Sequence, residues 1–364
     1  MKICLIGYSV PCLLLANILS NKNIKISIFK ENYYQSKFNT RTIGITKKNI
    51  DFLTKEKIFV EKLAWPIKNI KIFNDLKTNI EILNFGPRND KYFSIVKNFQ
   101  LTNLLTKKTK NNKLIKLIKK NKTVFYNSII NGKSQFDLII NFNENNKISK
   151  EIFFKRQYKD YESFAYTTLI KHQKCDNQMA YQVFTKFGPI AFLPCSNKET
   201  SVVFSIYKKF KNLTEVEILK LVKKYNKKFI IESFSNFEKI DLKGSLLKNY
   251  YNKNILSFGD NLHKIHPLAG QGLNMTIRDI KILCNLIDQK IDLGLPLDKS
   301  LLKEFENKTK HFNYIYASSI DFIHEFFKFD NQLKNNYSNK IFYFLEKNPL
   351  FKKYTTKFAD KGFI

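Results

Sequence analysis

The chain has 364 residues, of which 43% are hydrophobic, so it is long enough for two domains with a sizeable core. Its formal net charge of +32 comes almost entirely from lysine, since arginine occurs only at positions 41, 88, 156 and 278. Proteins that read nucleic acid favour arginine for two-point contacts with bases, so this composition argues against nucleic acid as a partner. It leaves open a functional basic surface and the compositional drift of an AT-rich genome.

The five cysteines, at positions 4, 12, 175, 195 and 284, show no paired spacing. They predict reduced thiols and neither a disulfide framework nor a metal site. No apolar run approaches the ~20 residues of a membrane-spanning helix. Strand-like residues begin at Lys2 and leave no room for a signal peptide, so the expected location is cytoplasmic.

The first elements predict a dinucleotide-binding arrangement. A buried strand from Lys2 to Gly7 is followed by a helix from Pro11 to Ser20 and a second strand from Ile24 to Phe29. Glu31 comes directly after that second strand. In this layout the acid at that position hydrogen-bonds the hydroxyls of a ribose.

The turn after the first strand departs from the usual G-x-G-x-x-G pattern. Gly7 keeps the first glycine, but Ser9 stands where the backbone should approach a pyrophosphate. Cys12 stands where the helix should pack tightly on the strand. A serine hydroxyl can itself hydrogen-bond phosphate, so the turn still suits a dinucleotide.

The next part of the chain alternates between strand and helix patterns. The runs Ile67–Phe73 and Ile80–Phe85 alternate apolar and polar residues on either side of residues 75–79 and predict a hairpin. Residues 94–110 have helical spacing, and Phe136–Asn141 has the pattern of a buried strand.

Residues 164–207 predict an antiparallel sheet with polar turns. Its four runs are Ala165–His172, Ala180–Phe184, Ile190–Leu193 and Ser201–Tyr207. A helix from about Glu215 to Phe229 follows, with Thr214 as its N-cap. Two further helices are predicted at 299–312 and 315–329. The basic, aromatic residues 341–364 suit a membrane interface and core packing equally.

Residues 255–279 combine a short buried strand with a glycine-rich helix start. The strand Ile255–Phe258 ends at Gly259-Asp260, and from Leu273 onward apolar residues recur every three or four positions, as on one face of a helix. Glycine is scarce, with 11 in the chain, yet three lie within 259–272. Without Cβ atoms, these positions let a flat or anionic ligand approach the backbone.

This stretch resembles the flavin-binding motif of the FAD-dependent aromatic hydroxylases, most closely the ubiquinone-biosynthesis branch with its G-D-x-x-H-x-x-H-P-x-x-G-Q-G-L-N signature. The resemblance implies an α/β fold, in which a Rossmann-like FAD-binding domain carries an inserted antiparallel β-sheet substrate domain and C-terminal helices. It places Asp260 on the ribityl chain of FAD. The other cofactor contacts that it implies here are Gly259, Pro267, Gly270, Gln271, Gly272, Leu273 and Asn274.

Further segments extend the resemblance. It implies that Arg41 reaches toward the flavin and that Asn98 occupies a cofactor position, and it gives Gly7, Ser9, Cys12 and Glu31 the nucleotide half of FAD. On the substrate side, residues 180–194 resemble the family segment in which the turn Gly188-Pro189 lies near the reacting ring; His172 also matches a family position. Plain structural roles remain open: a surface arginine, an ordinary hairpin and a strand histidine. No acid, base or nucleophile can be assigned.

The resemblance is weakest at 141–150. The family has an Asp-Gly motif there that contacts FAD and pyridine nucleotide, whereas this chain has Asn143-Glu144. The implied domains are an FAD-binding domain of 1–66, 95–155 and 250–300, a substrate domain of 67–94 and 156–249, and a C-terminal helical region of 301–364.

The implied function is hydroxylation of the aromatic ring of a polyprenylated ubiquinone precursor through a flavin C4a-hydroperoxide, with NAD(P)H or another reductant as electron donor. Other ubiquinone-synthesis proteins and peripheral contact with the inner face of the cytoplasmic membrane are further expected partners. The alternative is a catalytically weakened relative that serves as a scaffold or lipid-binding subunit.

Overall fold

A computed structural model describes residues 1–31, 39–58, 60–75, 80–85, 92–118, 121–266 and 272–333. The strands in these ranges are β1 (Lys2–Ile6), β2 (Lys25–Phe29), β3 (Thr42–Thr46), β4 (Ala64–Ile67), β5 (Asn69–Asn74), β6 (Ile80–Phe85), β7 (Phe93–Lys97), β8 (Ile115–Ile118), β9 (Leu138–Asn141), β10 (Arg156–His172), β11 (Met179–Thr185), β12 (Gly188–Pro194), β13 (Glu199–Tyr207), β14 (Ile231–Phe234), β15 (Glu238–Leu247), β16 (Tyr251–Asn252), β17 (Ile255–Ser257) and β18 (His263–Lys264). The helices are α1 (Val10–Asn21), α2 (Lys47–Lys55), α3 (Asn98–Asn111), α4 (Lys122–Ile130), α5 (Lys147–Glu151), α6 (Glu215–Tyr225), α7 (Gly272–Asp292) and α8 (Lys299–Leu333).

The first sheet is the predicted nucleotide-binding sheet, with strand order β16-β17-β9-β1-β2-β8. All its neighbours are parallel except the terminal pair β16–β17. Its central strands are buried and apolar because helices cover them, as is usual for parallel sheets. Helix α1 is buried along nearly its whole length, so it forms part of the core between the sheet and its neighbouring helices.

The second sheet follows the order β18-β15-β10-β13-β12-β11-β5-β6, with β14 paired to β10. Its central strands β10 to β13 confirm the antiparallel sheet predicted at 164–207. The predicted hairpin also forms, as β5 and β6, and it joins this sheet through a parallel pairing of β5 with β11. The α/β fold class with an inserted antiparallel sheet is therefore confirmed.

Strand β10 is the longest in the chain, with 17 residues. Its pairing with β15 shifts register between Asp160 and Phe164, which is a β-bulge. Within the bulge Glu162 has a positive φ of 52°. Bulges bend and twist a strand locally, so β10 changes direction there.

Three sequence predictions need correction. Residues 94–97 are strand, not helix, because β7 pairs on both sides with β3 and β4 in a separate three-stranded sheet. The two helices predicted at 299–312 and 315–329 are one continuous helix, α8, whose ladder no proline or glycine interrupts. Helix α6 ends at Tyr225 rather than Phe229, although Thr214 caps it as predicted, in a capping box with Glu217.

None of the helices in the described ranges has the length and apolarity needed to cross a membrane. All five cysteines are free thiols. The predicted domain boundaries remain a prediction.

The turn at Gly188 gives the first testable prediction. Gly188 has φ +127°, and a Cβ added there would lie 1.9 Å from the carbonyl oxygen of Ser205. Gly188→Ala should therefore lower the free energy of unfolding by about 2–4 kcal/mol, since both backbone strain and a steric clash oppose it. Urea unfolding of the protein without cofactor measures this loss.

Gly294→Ala is the matched control. Gly294 also has a positive φ, +66°, but an added Cβ would meet nothing within 4 Å. It should lose only the conformational contribution, about 1 kcal/mol. Equal losses in the two variants would contradict the predicted clash at Gly188.

Candidate functional site

Gly259 marks the point where three elements converge. It has φ +66°, a conformation that side chains rarely adopt, and it lies two residues beyond the end of β17. A Cβ built on Gly259 would lie 3.4 Å from Phe142 beyond β9, 3.6 Å from Pro11 in α1 and 3.8 Å from Thr276 in α7. A glycine here therefore lets the strand end lie close against the starts of both helices.

Asp260 lies in a cleft at this junction. Its side chain is exposed, yet enough protein surrounds it that burial raises the pKa of its carboxyl above the ordinary value. His263, Lys264 and Arg41 act in the opposite direction and favour the carboxylate. A side chain that is open to solvent and also surrounded by protein faces a concave surface.

The next residue, Asn261, holds the Asp260 loop in place. Its side-chain amide donates to the carbonyl oxygen of Asn141 (3.2 Å) and to Ser149 (3.2 Å). The guanidinium of Arg156 donates to the Asn261 backbone oxygen (2.7 Å) and also to its side-chain oxygen. The loop is thus tied to β9, α5 and the start of β10.

The segment 141–150, which lost the family's Asp-Gly motif, forms an ordered polar network. Asn141 donates to Ser149 (2.8 Å) and accepts from Asn146 (2.8 Å), and Ser149 donates to the carbonyl oxygen of Asn143 (2.6 Å). The network is buried apart from Asn143, so each amide needs a partner, and each has one. The altered residues therefore form a structural replacement for the motif rather than an irregular loop.

Glu31 is part of the same network. Asn143 donates a hydrogen bond from its side chain to the Glu31 carboxylate. Glu31 is only 4% exposed, and burial raises its pKa, while the Asn143 hydrogen bond and the charge of Lys122 oppose that rise. The acid predicted to bind a ribose is thus already engaged by a neighbouring side chain.

A second buried network lies behind Asp260. The His263 ring nitrogen Nε2 is 2.8 Å from the Asp279 carboxylate, and both side chains are fully buried. Burial opposes ionisation of Asp279, but Arg278 and His263 hold its pKa below the ordinary value. An ionised Asp279 accepts the Nε2 proton of His263 and fixes the orientation of the ring. Among the described residues, Nδ1 has no hydrogen-bond partner.

The first turn of α7 is fixed to β3 by Asn274. Its amide donates to the Gly44 carbonyl oxygen (2.8 Å), and its oxygen accepts from the Thr46 backbone (3.0 Å) and from Asn49 (2.9 Å). Asn274 therefore positions the helix start. Gly272 is the first residue of the helix, and an added Cβ there would meet nothing within 4 Å.

Among the other predicted contacts of this segment, Leu273 lies within the described residues. Leu273 is half-buried and packs against the main core. The predicted contacts Pro267, Gly270 and Gln271 lie outside the described residues.

The residues of the predicted nucleotide turn, between β1 and α1, differ in their contacts. Gly7 has φ +133°, and its amide donates to the Phe29 carbonyl oxygen (3.1 Å). Ser9 is the N-cap residue of α1 but makes no side-chain cap hydrogen bond, so its hydroxyl is not committed to that role. Cys12 is fully buried in the main core, where burial raises the pKa of its thiol, so its part in this turn is packing.

Arg41, next to β3, connects the small three-stranded sheet to the substrate-domain sheet. Its guanidinium forms an ion pair of 2.5 Å with Glu238 at the start of β15, while its charge also acts on Asp260. The backbone of Asn98 donates to the Arg41 carbonyl oxygen (3.0 Å). Arg41 is thus near the cleft, held by the substrate-domain sheet.

The substrate-side candidates do not lie together. Gly188 and Pro189 are buried at the start of β12, where Gly188 touches Ser205. His172 is fully buried at the end of β10 and bonds Thr200 (3.0 Å) while stacking on Phe229. Thr200 and Ser205 are five residues apart on β13, roughly 17 Å at the usual rise per residue. One ring cannot contact both candidates.

Sequence reasoning missed Asn261, Arg156 and the His263–Asp279 pair. The rarity of arginine was a usable signal, since Arg41, Arg156 and Arg278 all lie in or beside the site. The cluster of asparagines at 141–146 was a second signal, because short amides close turns and cap helices.

The junction fits an FAD-like ligand. It combines a glycine strand end, an exposed carboxylate in a cleft, an unpartnered buried ring nitrogen on His263 and a helix start with open space at Gly272. The adenosine end is altered, because Asn143 engages Glu31. In the described part of the chain, no group of three or more histidine, cysteine or acidic side chains is arranged to hold a metal ion.

Comparison with known proteins agrees with this geometry. Residues 160–294 match the family described as FAD binding domain. The mitochondrial ubiquinone biosynthesis monooxygenase COQ6 of Dictyostelium discoideum is 36% identical over 22% of this chain. Ubiquinone hydroxylase UbiM of Neisseria meningitidis is 27% identical over 41% of it. These matches confirm the family resemblance.

The matches also have limits of extent. They span 16% and 34% of those two relatives, so the chain spans about a third or less of the length of each of these two. A crystal structure of pqsL, a probable FAD-dependent monooxygenase from Pseudomonas aeruginosa, matches with a TM-score of 0.72 at 12% identity. The match covers 91% of this chain and 97% of that one, and it supports the fold. FAD is the cofactor that the matching domain supports.

Asp260 gives the second prediction. Asp260→Ala removes an acceptor for ligand hydroxyls inside the cleft and should weaken FAD binding about tenfold to a hundredfold, or ~1–3 kcal/mol. Fluorescence titration with FAD measures the affinity, and circular dichroism checks the fold. Asp51→Ala, at an exposed aspartate on α2, is the control and should bind FAD as the parent does. Parental affinity in a folded Asp260→Ala protein would mean that the cofactor lies elsewhere.

Proposed function

We propose that the protein is an FAD-dependent monooxygenase that hydroxylates the aromatic ring of a polyprenylated ubiquinone precursor. The observation that carries the proposal is the cleft at Asp260, on the segment that leads from β17 of the nucleotide-binding sheet to β18 of the substrate-domain sheet. The ion pair of Arg41 with Glu238 lies nearby. The names of the relatives support the substrate class.

In this function the protein positions the aromatic ring and shields it from water, and the cofactor carries out the difficult chemistry. FAD, when bound, supplies electron transfer and oxygen activation. Asp260 would accept hydrogen bonds from the ribityl hydroxyls, and the buried pair of His263 and Asp279 would hold the Asp260 loop from behind. The start of α7 presents free backbone N–H groups, which favour negative charge. The substrate-domain sheet covers the other side and limits the access of water.

We propose NAD(P)H or another small reductant as the electron donor. The segment that contacts pyridine nucleotide in the family is here the closed network around Asn141 and Ser149. The Asn143 side chain also donates a hydrogen bond to the Glu31 carboxylate. These contacts favour a donor that approaches the flavin directly over one held by this segment.

The same contacts support a second candidate function, a catalytically weakened relative that acts as a scaffold or lipid-binding subunit beside other ubiquinone-synthesis proteins. Its specific observation is the hydrogen bond between Asn143 and Glu31, which competes with a ribose for the acid. The two functions differ in whether the purified protein holds flavin and uses dioxygen.

The third prediction separates the two functions. The purified protein should be yellow with stoichiometric FAD, because the sequence keeps Asp260 and the glycine-rich segment that the resemblance assigns to the flavin. With a reductant, isotopically labelled dioxygen and a short-chain 2-prenylphenol, it should form a product that carries one labelled oxygen atom by mass spectrometry. Labelled water with ordinary dioxygen is the control and should leave no label. A colourless protein that cannot be reconstituted with FAD would favour the scaffold.

We also propose peripheral contact with the inner face of the cytoplasmic membrane. Helix α8 exposes the large side chains of Phe322 and Phe329, and the whole chain carries a charge of +32. The basic segment 341–364, predicted to suit a membrane interface, lies outside the described residues.

The fourth prediction concerns this contact. The protein should sediment with vesicles that contain anionic lipid, and binding should fall as salt rises, since each lysine near the surface contributes about 1 kcal/mol that ions screen. Vesicles of neutral lipid are the control. Equal binding to both vesicle types, or binding to neither, would assign the charge to compositional drift.

A further inference from the structure

One row of cross-strand neighbours crosses the middle of the substrate-domain sheet. Gln182 on β11 lies opposite Ala191 on β12, and Ala191 lies opposite Val203 on β13. Val203 in turn lies opposite Thr167 on β10. Directly opposed residues in a sheet point to the same face. We call Gln182, Ala191, Val203 and Thr167 the floor row.

The floor row faces the nucleotide-binding side of the sheet. The residues next to Gln182 along the strand, Tyr181 and Val183, pack into the core that α6 covers on the opposite face. Side chains alternate along a strand, so Gln182 points away from α6. At the other end of the row, Thr167 bonds Thr40, next to the Arg41 that bridges to β15.

Three members of the floor row, Gln182, Ala191 and Val203, lie between two packed regions. On one side Ala180 packs with Ile67 and Ile95 of the small sheet. On the other side Phe184 packs with Ile323 and Phe326 of α8. Both residues are on the same face as Gln182, each two positions away from it.

Between those two regions, Gln182, Ala191 and Val203 are only half-buried although they lie on inner strands of the sheet. Neither Ala191 nor Val203 belongs to a packed core cluster among the described residues. A slot one residue row wide therefore runs over β11, β12 and β13. It ends at Ile72 of β5, which lies opposite Gln182 and packs against α8, and at the buried Thr167 of β10.

The start of α7 spans the same gap from the opposite side. Asn274 bonds Gly44 in the small sheet, and Met275 packs with Tyr316 and Ile320 of α8. The helix start is thus fixed to both walls of the slot. A ring held in the slot would lie between the floor row and the start of α7.

Gln182 is the polar residue at one end of the floor row. The next two residues of the row, Ala191 and Val203, are small and apolar. Its amide has no hydrogen-bond partner among the residues that the structure describes. Apolar pockets that fix the orientation of a ligand use a few placed polar groups of this kind.

We infer that Gln182 binds the oxygen substituent of the aromatic substrate and thereby selects rings that carry a hydroxyl or ether oxygen. The inference rests on the proposed function and names the substrate-recognition residue for it. A side-chain amide both donates and accepts, so it can bind a hydroxyl hydrogen and an ether oxygen alike.

Binding of three probes to the full-length, FAD-loaded protein tests this inference by calorimetry. The probes are 2-prenylphenol, its methyl ether and prenylbenzene, which lacks the oxygen. The parent should bind the two oxygenated probes more tightly than prenylbenzene. Gln182→Leu, similar in size but apolar, should bind both oxygenated probes about tenfold to a hundredfold more weakly. Its affinity for prenylbenzene should be unchanged or slightly higher.

Gln182→Glu provides a second, chemically distinct outcome. A carboxylate only accepts hydrogen bonds, so this variant should still prefer 2-prenylphenol over prenylbenzene but lose its preference for the methyl ether. Gln100→Leu, at a half-buried glutamine on α3, is the matched control and should behave as the parent. A structural role alone would change all three probes together.

The outcomes separate this inference from the proposed function. A parent protein that binds flavin and forms labelled product, while Gln182→Leu keeps the parental preference among the probes, overturns the inference alone. A parent that binds the three probes equally, or binds none of them, also overturns it. Failure of the proposed function is read separately, from flavin content and labelled product.

Discussion

The hydrogen bonds of Asn261 hold the site together. This one side chain and its backbone carbonyl connect the ends of the first sheet to α5 and to the beginning of the second sheet through Asn141, Ser149 and Arg156. Because Asn261 follows Asp260 directly, the orientation of the carboxylate depends on bonds that its neighbour makes. The buried pair of His263 and Asp279 supports the same loop from behind. The cleft is consequently preorganised by groups that need not contact any ligand.

Features with a local cause could be predicted from the sequence. Gly259 and Asp260 follow a short apolar run, and the helix after them has a regular apolar face, so strand, turn and helix could all be placed. The hairpin of β5 and β6 and the four central strands of the second sheet were likewise visible from their alternation. The capping box at Thr214 and Glu217 is a sequence pattern with a known geometry.

Features that depend on tertiary pairing could not be predicted in this way. Residues 94–97 become a strand because β3 and β4 provide partners on both sides. The segment around Asn143 departs from its family motif, and no local pattern indicated that its amides would bond each other and Glu31. The floor row depends on the register of four strands, which sequence alternation does not determine. For the same reason His172 and Gly188, both plausible beside a ring, turned out to lie at opposite ends of β13.

Strand β10 connects the Asp260 loop mechanically to the floor row of the substrate-domain sheet. It starts at Arg156, which binds the Asp260 loop, and continues unbroken to the far end of the second sheet. The bulge between Asp160 and Phe164 interrupts its pairing with β15, and Tyr161 there donates a hydrogen bond to Asp321 of α8. A displacement of the Asp260 loop would therefore make β10 pivot at the bulge. Tilting the strand would move the floor row toward or away from the ring. Because α8 holds Tyr161 at the bulge, it determines how easily the Asp260 loop and the floor row move relative to each other.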